Sequence, residues 1–385
     1  MGRIRVVIAD DSRLARDLLR AIFEAEPGME VVGEASNGRE AVALVQQLRP
    51  HLVTMDLEMP LMDGVAAVEE IMCTRAVPIL VVSSVADAPR ALDAVAHGAL
   101  EIVPKPDTTP EAAAHLLARA RLLAGVSVIT RLRARSSAAP SPLAEAAPGV
   151  LTAAPTPAPV LTPAPVLTHA LVPACVGGAL LPGTRVFAVA ASTGGPQALA
   201  QILPALPPDF ACPVLVAQHI SDGFAQGMAQ WLASLCPLPV RLACDGEALR
   251  PGHIYIAPSE HHLAVTAQHQ LQWRPRLPQD LYRPSCDVLL SSVAAVFRAQ
   301  AVGIVLSGMG HDGACGLAAI RAAGGCTLAQ DEASSLIFGM NRVAIERAAV
   351  QQVLPVGEMA AAMRQLAAAP LDTPGAWGGW AGARA

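Results

Sequence analysis

From Ala146 to Thr184 the sequence contains no charged side chain, and eight prolines interrupt it between Pro148 and Pro182. A membrane helix needs about 20 mostly apolar residues with every backbone amide bonded internally. Proline supplies no amide hydrogen, so this stretch is neither a span nor part of a core. The hexapeptide Pro-Ala-Pro-Val-Leu-Thr occurs twice in tandem, at 157–162 and 163–168. That composition favours extended polyproline conformations, and the repeat is too short for a solenoid. Whatever folds must therefore fold on either side. The sequence divides into a body at 1–122, a Pro/Ala/Thr-rich linker at 123–183, a second body at 184–370, and a Gly-rich tail at 371–385 holding Trp377 and Trp380. A length of 385 residues suits two cores better than one.

Composition narrows the function classes. Hydrophobic residues make up 53% and charged residues 15%, which is not the signature of a wholly disordered chain. The formal net charge is −5, and the second body balances 11 Arg against 12 Asp plus Glu; neither is the footprint of a nucleic-acid binder. Aromatic residues, at 3%, are too scarce for a base-stacking surface or a sugar groove. The eight cysteines form no CxxC pair, so we expect reduced, mostly buried thiols rather than a disulfide frame or a zinc site. Arg3 and Arg5 sit inside a strand-like run, which argues against a signal peptide. The expectation is a cytoplasmic protein without direct membrane insertion.

Both bodies alternate short apolar runs with helical periodicity. In the first, strands are expected at Ile4–Ala9, Glu30–Glu34, Leu52–Met55, Ile79–Val82 and Glu101–Val103. A helix over Ser12–Glu26 would set Leu14, Leu18, Leu19, Ile22 and Phe23 on one face. In the second, strands are expected from Arg185 onward and at Val214–Gln218, Ile254–Ala257 and Gly303–Leu306. Helices are expected at Gln197–Leu203, Phe224–Leu235, Cys286–Arg298 and Gly316–Ala323. Such alternation means α/β architecture: two doubly wound parallel sheets.

In an open parallel sheet, ligands bind beyond the carboxyl ends of the strands. In the first body those ends carry Asp10-Asp11, Asp56, Ser83-Ser84 and Pro104-Lys105-Pro106. Three converging carboxylates repel one another unless a hard divalent cation, most simply Mg²⁺, neutralises them. With a hydroxyl and an ammonium nearby, the set suits phosphoryl transfer to a carboxylate. Lys105 is the only lysine among 27 basic residues, consistent with a role as a compact point charge that guanidinium cannot fill. Taken singly, Asp10 or Asp11 is equally well a helix N-cap, Ser83 a turn residue and Lys105 a solvated charge.

Together with Asp56-Leu-Glu-Met-Pro-Leu-Met-Asp-Gly, these residues make 1–122 resemble a response-regulator receiver domain. The resemblance implies a flavodoxin-like fold with Asp56 as phosphoacceptor. It implies Mg²⁺ held by Asp11, Asp56 and the Glu58 carbonyl with support from Asp10, Ser83 as switch hydroxyl, and Lys105 as the pattern's lysine. The position that is usually aromatic before that lysine is Ile102 here.

In the second body, Val186-Phe-Ala-Val-Ala-Ala-Ser192-Thr193-Gly194-Gly195-Pro196 runs from a strand through a glycine turn into a helix. Ser192 would stand beside free helix-end amides that could bind an anion or an oxyanion. By itself the turn is equally a phosphate-binding loop or a helix cap. His219 ends the run Val214-Leu-Val-Ala-Gln, and Asp312 follows Ser307-Gly-Met-Gly-His. A serine nucleophile needs a base, and the base needs a carboxylate to fix its tautomer. His219 alone could be a structural histidine, and His311 is a rival base beside Asp312. His253, His261, His262 and His269 read as surface or turn residues, and His261-His262 lacks the HExxH spacing of a metal site.

The second body also carries Gln218-His219, Pro251-Gly-His-Ile-Tyr-Ile-Ala-Pro258, Arg283-Pro-Ser-Cys-Asp287-Val-Leu and Ala329-Gln-Asp-Glu-Ala-Ser-Ser335. With Ala-Ser192-Thr-Gly-Gly-Pro and Ser307-Gly-Met-Gly-His-Asp312-Gly, these strings resemble the chemotaxis protein-glutamate methylesterase (CheB) family, whose members carry a receiver in front. The resemblance implies a Rossmann-like esterase domain with Ser192 as nucleophile, His219 as general base and acid, and Asp312 as orienter. Thr193 and the amides near Met309 would contribute to the oxyanion hole. It further implies methyl-accepting chemoreceptors as substrate, glutamine deamidation beside ester hydrolysis, a chemotaxis histidine kinase as phosphodonor, and no cofactor for the esterase reaction. Where the family has Met-Pro-Pro-Gly-Phe after the histidine, this chain has Ile220-Ser-Asp222-Gly-Phe224, an extra carboxylate near the base that would either raise the pKa of His219 or alter receptor contact. Asn341 stands where proline is common. Other readings of the residues are a catalytically silent adaptor fused to a receiver and a DNA-binding regulator, the latter lacking a basic recognition helix.

Overall fold

The computed structural model describes residues 2–126, 128, 183–277 and 279–369. The tandem repeat and nearly all of the expected linker lie outside the described residues, as does the tail.

The N-terminal body runs β1 (Ile4–Ala9), α1 (Arg13–Glu24), β2 (Met29–Ala35), α2 (Gly38–Leu48), β3 (Leu52–Met55), α3 (Gly64–Thr74), β4 (Ile79–Ser83), α4 (Ala88–His97), β5 (Glu101–Pro104) and α5 (Pro110–Ala124). Its five strands are parallel in the order β2-β1-β3-β4-β5. Successive side chains of a strand point to opposite faces. Val6, Ile8, Leu52 and Leu80 accordingly meet Leu19, Phe23, Leu116 and Leu123 of α1 and α5 on one face. Val7, Val53 and Val81 meet Val45, Val68, Ile71 and Leu92 of α2, α3 and α4 on the other. The first helix is shorter than expected because Ser12 caps it, accepting from the Ala15 amide. Leu14, expected on the buried stripe, lies in that first turn at the sheet's open edge and is 79% exposed.

The C-terminal body contains β6 (Val186–Ala191), α6 (Gly195–Ile202), β7 (Val214–Gln218), α7 (Phe224–Leu235), β8 (Val240–Leu242), β9 (Ile254–Ile256), β10 (His262–Val265), β11 (Leu271–Arg274), α8 (Cys286–Phe297), β12 (Ala301–Val305), α9 (Ala314–Ala322), β13 (Cys326–Gln330), α10 (Met340–Glu346), β14 (Gln352–Leu354) and α11 (Val356–Ala368). A seven-stranded parallel sheet has the order β14-β13-β12-β6-β7-β9-β8, and β10 and β11 form a separate antiparallel hairpin. The chain extends the sheet from β6 through β7 to β9 and β8, then crosses back to lay β12 on the other side of β6. The sheet therefore has its switch point between β6 and β12, where such folds open a crevice.

The two bodies meet where α4 packs against α7 and α6. Leu92 and Val95 join one apolar cluster with Met228 and Trp231.

Candidate active site and its receiver

In the N-terminal body β1 and β3 are neighbours although β2 separates them in the chain, so Asp10, Asp11 and Asp56 emerge into one crevice. One carboxylate oxygen from each lies within 4.8 Å of the others. Lys105, directly after β5, sets its Nζ 3.0 Å from Asp56 Oδ2 and 3.1 Å from Asp10 Oδ2. Burial pushes the Asp56 carboxyl up from its ordinary range, and Asp10 adds to this, against the opposing bond from Lys105. Burial works against the Lys105 ammonium, yet its bonds to Asp56 and Asp10 outweigh that and hold its pKa above the usual lysine value. Three carboxylates and one ammonium leave two negative charges uncompensated, and all the donors are hard oxygens, a set that fits a divalent ion such as Mg²⁺. The Glu58 carboxylate is turned away, 3.4 Å from Arg90, so what Glu58 can add is its main-chain carbonyl. Ser83 is fully buried and its hydroxyl has no hydrogen-bond partner. A buried hydroxyl in that state costs free energy until an acceptor arrives. Ile102 is buried in β5, paired in register with Val81.

In the C-terminal body the register pairs Ala191 with Gln218, so Ser192 and His219 leave adjacent strand ends side by side. The His219 amide bonds the Ala191 carbonyl at 2.9 Å, and the Ser192 amide bonds the Ser307 carbonyl beyond β12 at 3.0 Å. From the loop after β12, Asp312 Oδ2 meets His219 Nε2 at 2.8 Å. The start of α8 holds the same carboxylate: the amides of Cys286 (2.6 Å) and Asp287 (2.9 Å) and the Ser285 hydroxyl (3.1 Å) all donate to it. Burial pushes Asp312 up, but the His219 bond and these amides outweigh it, so its carboxyl sits below the usual range. An ionised Asp312 only accepts, so Nε2 carries the bridging proton and Nδ1 is left as the basic nitrogen of His219.

Several contacts fix the turn after β6. Gly194 takes φ 85°, a left-handed conformation that L side chains resist, to start α6. Gln218 Nε2 donates to both the Ser192 carbonyl (2.8 Å) and the His219 carbonyl (2.9 Å). The Ser307 hydroxyl donates to the Thr193 carbonyl at 2.8 Å. A Cβ at Gly308 would lie 2.6 Å from Ser192 Cβ, so only glycine lets the main chain leading to Met309 run this close to the serine. Met309 turns its own side chain out, 49% exposed.

The structure corrects several expectations. The Asp222 carboxylate pairs with Arg276 at 2.6 and 3.0 Å. His262 is no surface residue: it is buried, bonded through Nε2 to Asp280 at 2.9 Å and accepting the Ser285 amide at Nδ1. His311 is exposed and bonds the Tyr282 hydroxyl, leaving Asp312 to His219. Among the described cysteines only Cys212, Cys286 and Cys326 are buried, all are free, and Cys244 and Cys315 are exposed. The sequence reading missed Gln218 as a brace, although a polar residue closing an apolar strand was the signal. It also missed Cys286, whose Sγ lies 3.4 Å from His219 Nε2, and Tyr282, stacked on the His219 ring at 5.0 Å. Two bonds join the bodies at this site: the Thr193 hydroxyl to Glu101 at 2.8 Å, and the Gln197 amide to the Ala99 carbonyl at 2.9 Å.

An acidic crevice opposed by a lysine in one body, and a Ser–His–Asp arrangement at a sheet switch point in the other, define the class: a carboxylic-ester hydrolase carrying a receiver domain. Residues 187–363 match the family model of the CheB methylesterase, and residues 6–117 match that of the response regulator receiver domain. A protein-glutamate methylesterase/protein-glutamine glutaminase of Paramagnetospirillum magneticum is 51% identical over 96% of this chain and 97% of its own length. One from Anaeromyxobacter dehalogenans is 41% identical over 94% and 97%. Among solved structures, the Thermotoga maritima CheB methylesterase catalytic domain is 33% identical, with a TM-score of 0.47 over 48% of this chain and 98% of that one. The chain belongs to the protein-glutamate methylesterase/protein-glutamine glutaminase family.

Proposed function

We propose that this protein hydrolyses γ-glutamyl methyl esters on methyl-accepting chemoreceptors, releasing methanol, and deamidates glutamines at such sites. The observation that carries the reading is the 2.8 Å bond between His219 and Asp312, with Ser192 on the neighbouring strand end. In this reading His219 takes the Ser192 proton and Ser192 attacks the ester carbonyl. The charge that develops on the carbonyl oxygen is met by amides near Thr193 and Met309. Methanol leaves with a proton from His219, which then activates water to release the glutamate. Each well-placed oxyanion donor contributes about 10²–10³ in rate.

Control falls to the N-terminal body. A chemotaxis histidine kinase supplies the phosphoryl group to Asp56. Asp11, Asp56 and the Glu58 carbonyl, supported by Asp10, would hold Mg²⁺, which neutralises charge on the transferring oxygens. Ser83 and Lys105 then answer to the new phosphoryl oxygens, and the unpartnered Ser83 hydroxyl supports that role. The bonds from Thr193 to Glu101 and from Gln197 to Ala99 support an unphosphorylated receiver that restrains the catalytic turn. The domain limits of this reading are 1–122 for the receiver, 123–183 for the linker, 184–370 for the esterase and 371–385 for the tail. No helix among the described residues is long and apolar enough to cross a membrane.

The test is methanol release from methylated receptor membranes, using wild type and Ser192→Ala, each with and without acetyl phosphate. Phosphodonor-stimulated release that Ser192→Ala abolishes is expected. No release from folded wild type overturns the esterase reading, and release without stimulation overturns the switch.

A further inference from the structure

His219, Cys286 and Asp312 form a second cluster of metal-ligating type, well away in chemistry from the acidic crevice. Nε2, Sγ and a carboxylate oxygen lie within 4.8 Å of one another, and all three side chains are buried. The esterase chemistry uses the imidazole and the carboxylate but has no use for the thiol. We propose that this cluster is an inhibitory site for a soft divalent cation of the Zn²⁺ type, with Cys286 as the ligand that gives it selectivity.

The geometry is close to what such an ion needs. A tetrahedral zinc holds nitrogen and sulfur ligands about 3.6 Å apart, and nitrogen and oxygen ligands about 3.3 Å apart. Here Nε2 and Sγ are 3.4 Å apart, and Nε2 and Oδ2 are 2.8 Å apart. Seating the ion requires the imidazole and carboxylate to part by about half an ångström. The carboxylate is already oriented by the Cys286 and Asp287 amides and the Ser285 hydroxyl, the kind of outer support that metal ligands require. Charge also balances: one dication against one carboxylate and one thiolate leaves the buried site neutral. Tyr282, itself only partly buried, stacks on the His219 ring.

The proton inventory explains inhibition. The Cys286 thiol donates to the Ala217 carbonyl at 3.4 Å, so its sulfur carries a hydrogen; binding replaces the S–H bond with a sulfur–metal bond and releases one proton to solvent. Nε2 must offer its lone pair to the ion, so the imidazole proton moves to Nδ1. His219 then has no lone pair with which to accept the Ser192 proton. The thiolate sets the selectivity: it favours Zn²⁺ or Cd²⁺ and does nothing for Mg²⁺, the ion suited to the oxygen ligands of the receiver. The inhibition rests on the role of His219 proposed above; the binding does not.

The experiment uses the full-length protein, reduced and freed of metal, titrated with Cd²⁺ to one equivalent while the ultraviolet thiolate-to-metal charge-transfer band and proton release are recorded. Ser192→Ala should keep the band, whereas Cys286→Ala and Cys286→Ser should lose most of it. In parallel, the ratio of methanol release with and without Zn²⁺ is measured for each active form at saturating Mg²⁺. Wild type should be inhibited at Zn²⁺ at least about 10-fold lower than either Cys286 variant, since losing even an outer-shell partner of a ligand costs that much. Thermal melting establishes that the variants are folded, and the serine form preserves the side chain's size. A band that survives both Cys286 variants, equal inhibition of wild type and variants, or no inhibition by Zn²⁺ at saturating Mg²⁺ each overturns the proposal.

Discussion

The Thr193 hydroxyl donates a hydrogen bond to the carboxylate of Glu101 at 2.8 Å, joining the residue after Ser192 to the strand that ends just before Lys105. Glu101 is also paired with Arg119 at 3.0 Å, so its position depends on α5 as well. Removing the carboxylate with Glu101→Ala should loosen the restraint on the catalytic turn. A bond to a charged group contributes about 1.5–3 kcal/mol, less where solvent reaches it. The expected result is a rise of about 3- to 10-fold in methanol release without phosphodonor, and little change with it.

Gln218 braces both members of the neighbouring strand ends through one amide nitrogen. Gln218→Leu removes the brace, leaving the His219 carbonyl without this donor and the Ser192 carbonyl with the Gly195 amide at 2.7 Å, whereas Gln218→Asn keeps the amide but shortens its reach. Displacement of reacting groups by about 1 Å costs on the order of 10²-fold. A loss of that order in kcat with little change in KM is expected for both variants. Equal loss in KM alone would mean the brace serves substrate binding instead.

Asp56 and Asp312 should influence stability with opposite signs. Burial raises the folded-state value of Asp56 above the ordinary 3.8, so its ionised form is penalised at neutral pH, and the penalty fades as pH falls toward 3.8. Asp56→Asn should therefore raise Tm by a few degrees at pH 7, with the advantage shrinking toward pH 4. Asp312 is held below 3.8, so its contribution is present at neutral pH and is lost only as pH falls through that lower value. Asp312→Asn should lower Tm at pH 7 and cost about 10²–10⁴ in methanol release. Thermal melts across this range test both signs together.

The effective concentration of one tethered partner for another falls as the connection between them lengthens. Deleting residues 150–170 should accordingly lower release without phosphodonor; unchanged or higher release would show that docking does not depend on the tether.

Residues at strand ends were legible because a short apolar run announces its own end: Asp10, Asp56, Ser192 and His219 each follow one directly. Asp312 was legible through its glycine-rich loop. The hairpin β10–β11 and the three-residue strands β8 and β14 were not, since so few residues carry no distinguishable period. The same region hid Arg276, Asp280 and Tyr282, which reach the site from loops whose course depends on tertiary contacts alone. His262 looked like a surface residue because its partners, Asp280 and the Ser285 amide, are 18 and 23 positions away. The partner of Asp222 was hidden in the same way, since Arg276 lies 54 positions on.

Ser192 and Asp312 come from strands that touch, yet they stand 120 positions apart, and β12 joins β6 only after the chain has laid down the opposite wing of the sheet. Loop closure over such a distance is slow, and parallel pairings of this kind are late events in folding. During synthesis, a ribosome-bound chain exposing residues up to Arg298 could already pair β6, β7 and β9, but would have no carboxylate to orient its histidine. Hydrolytic competence should therefore arise as one of the last steps of maturation, so that a partly made chain cannot act on its substrate.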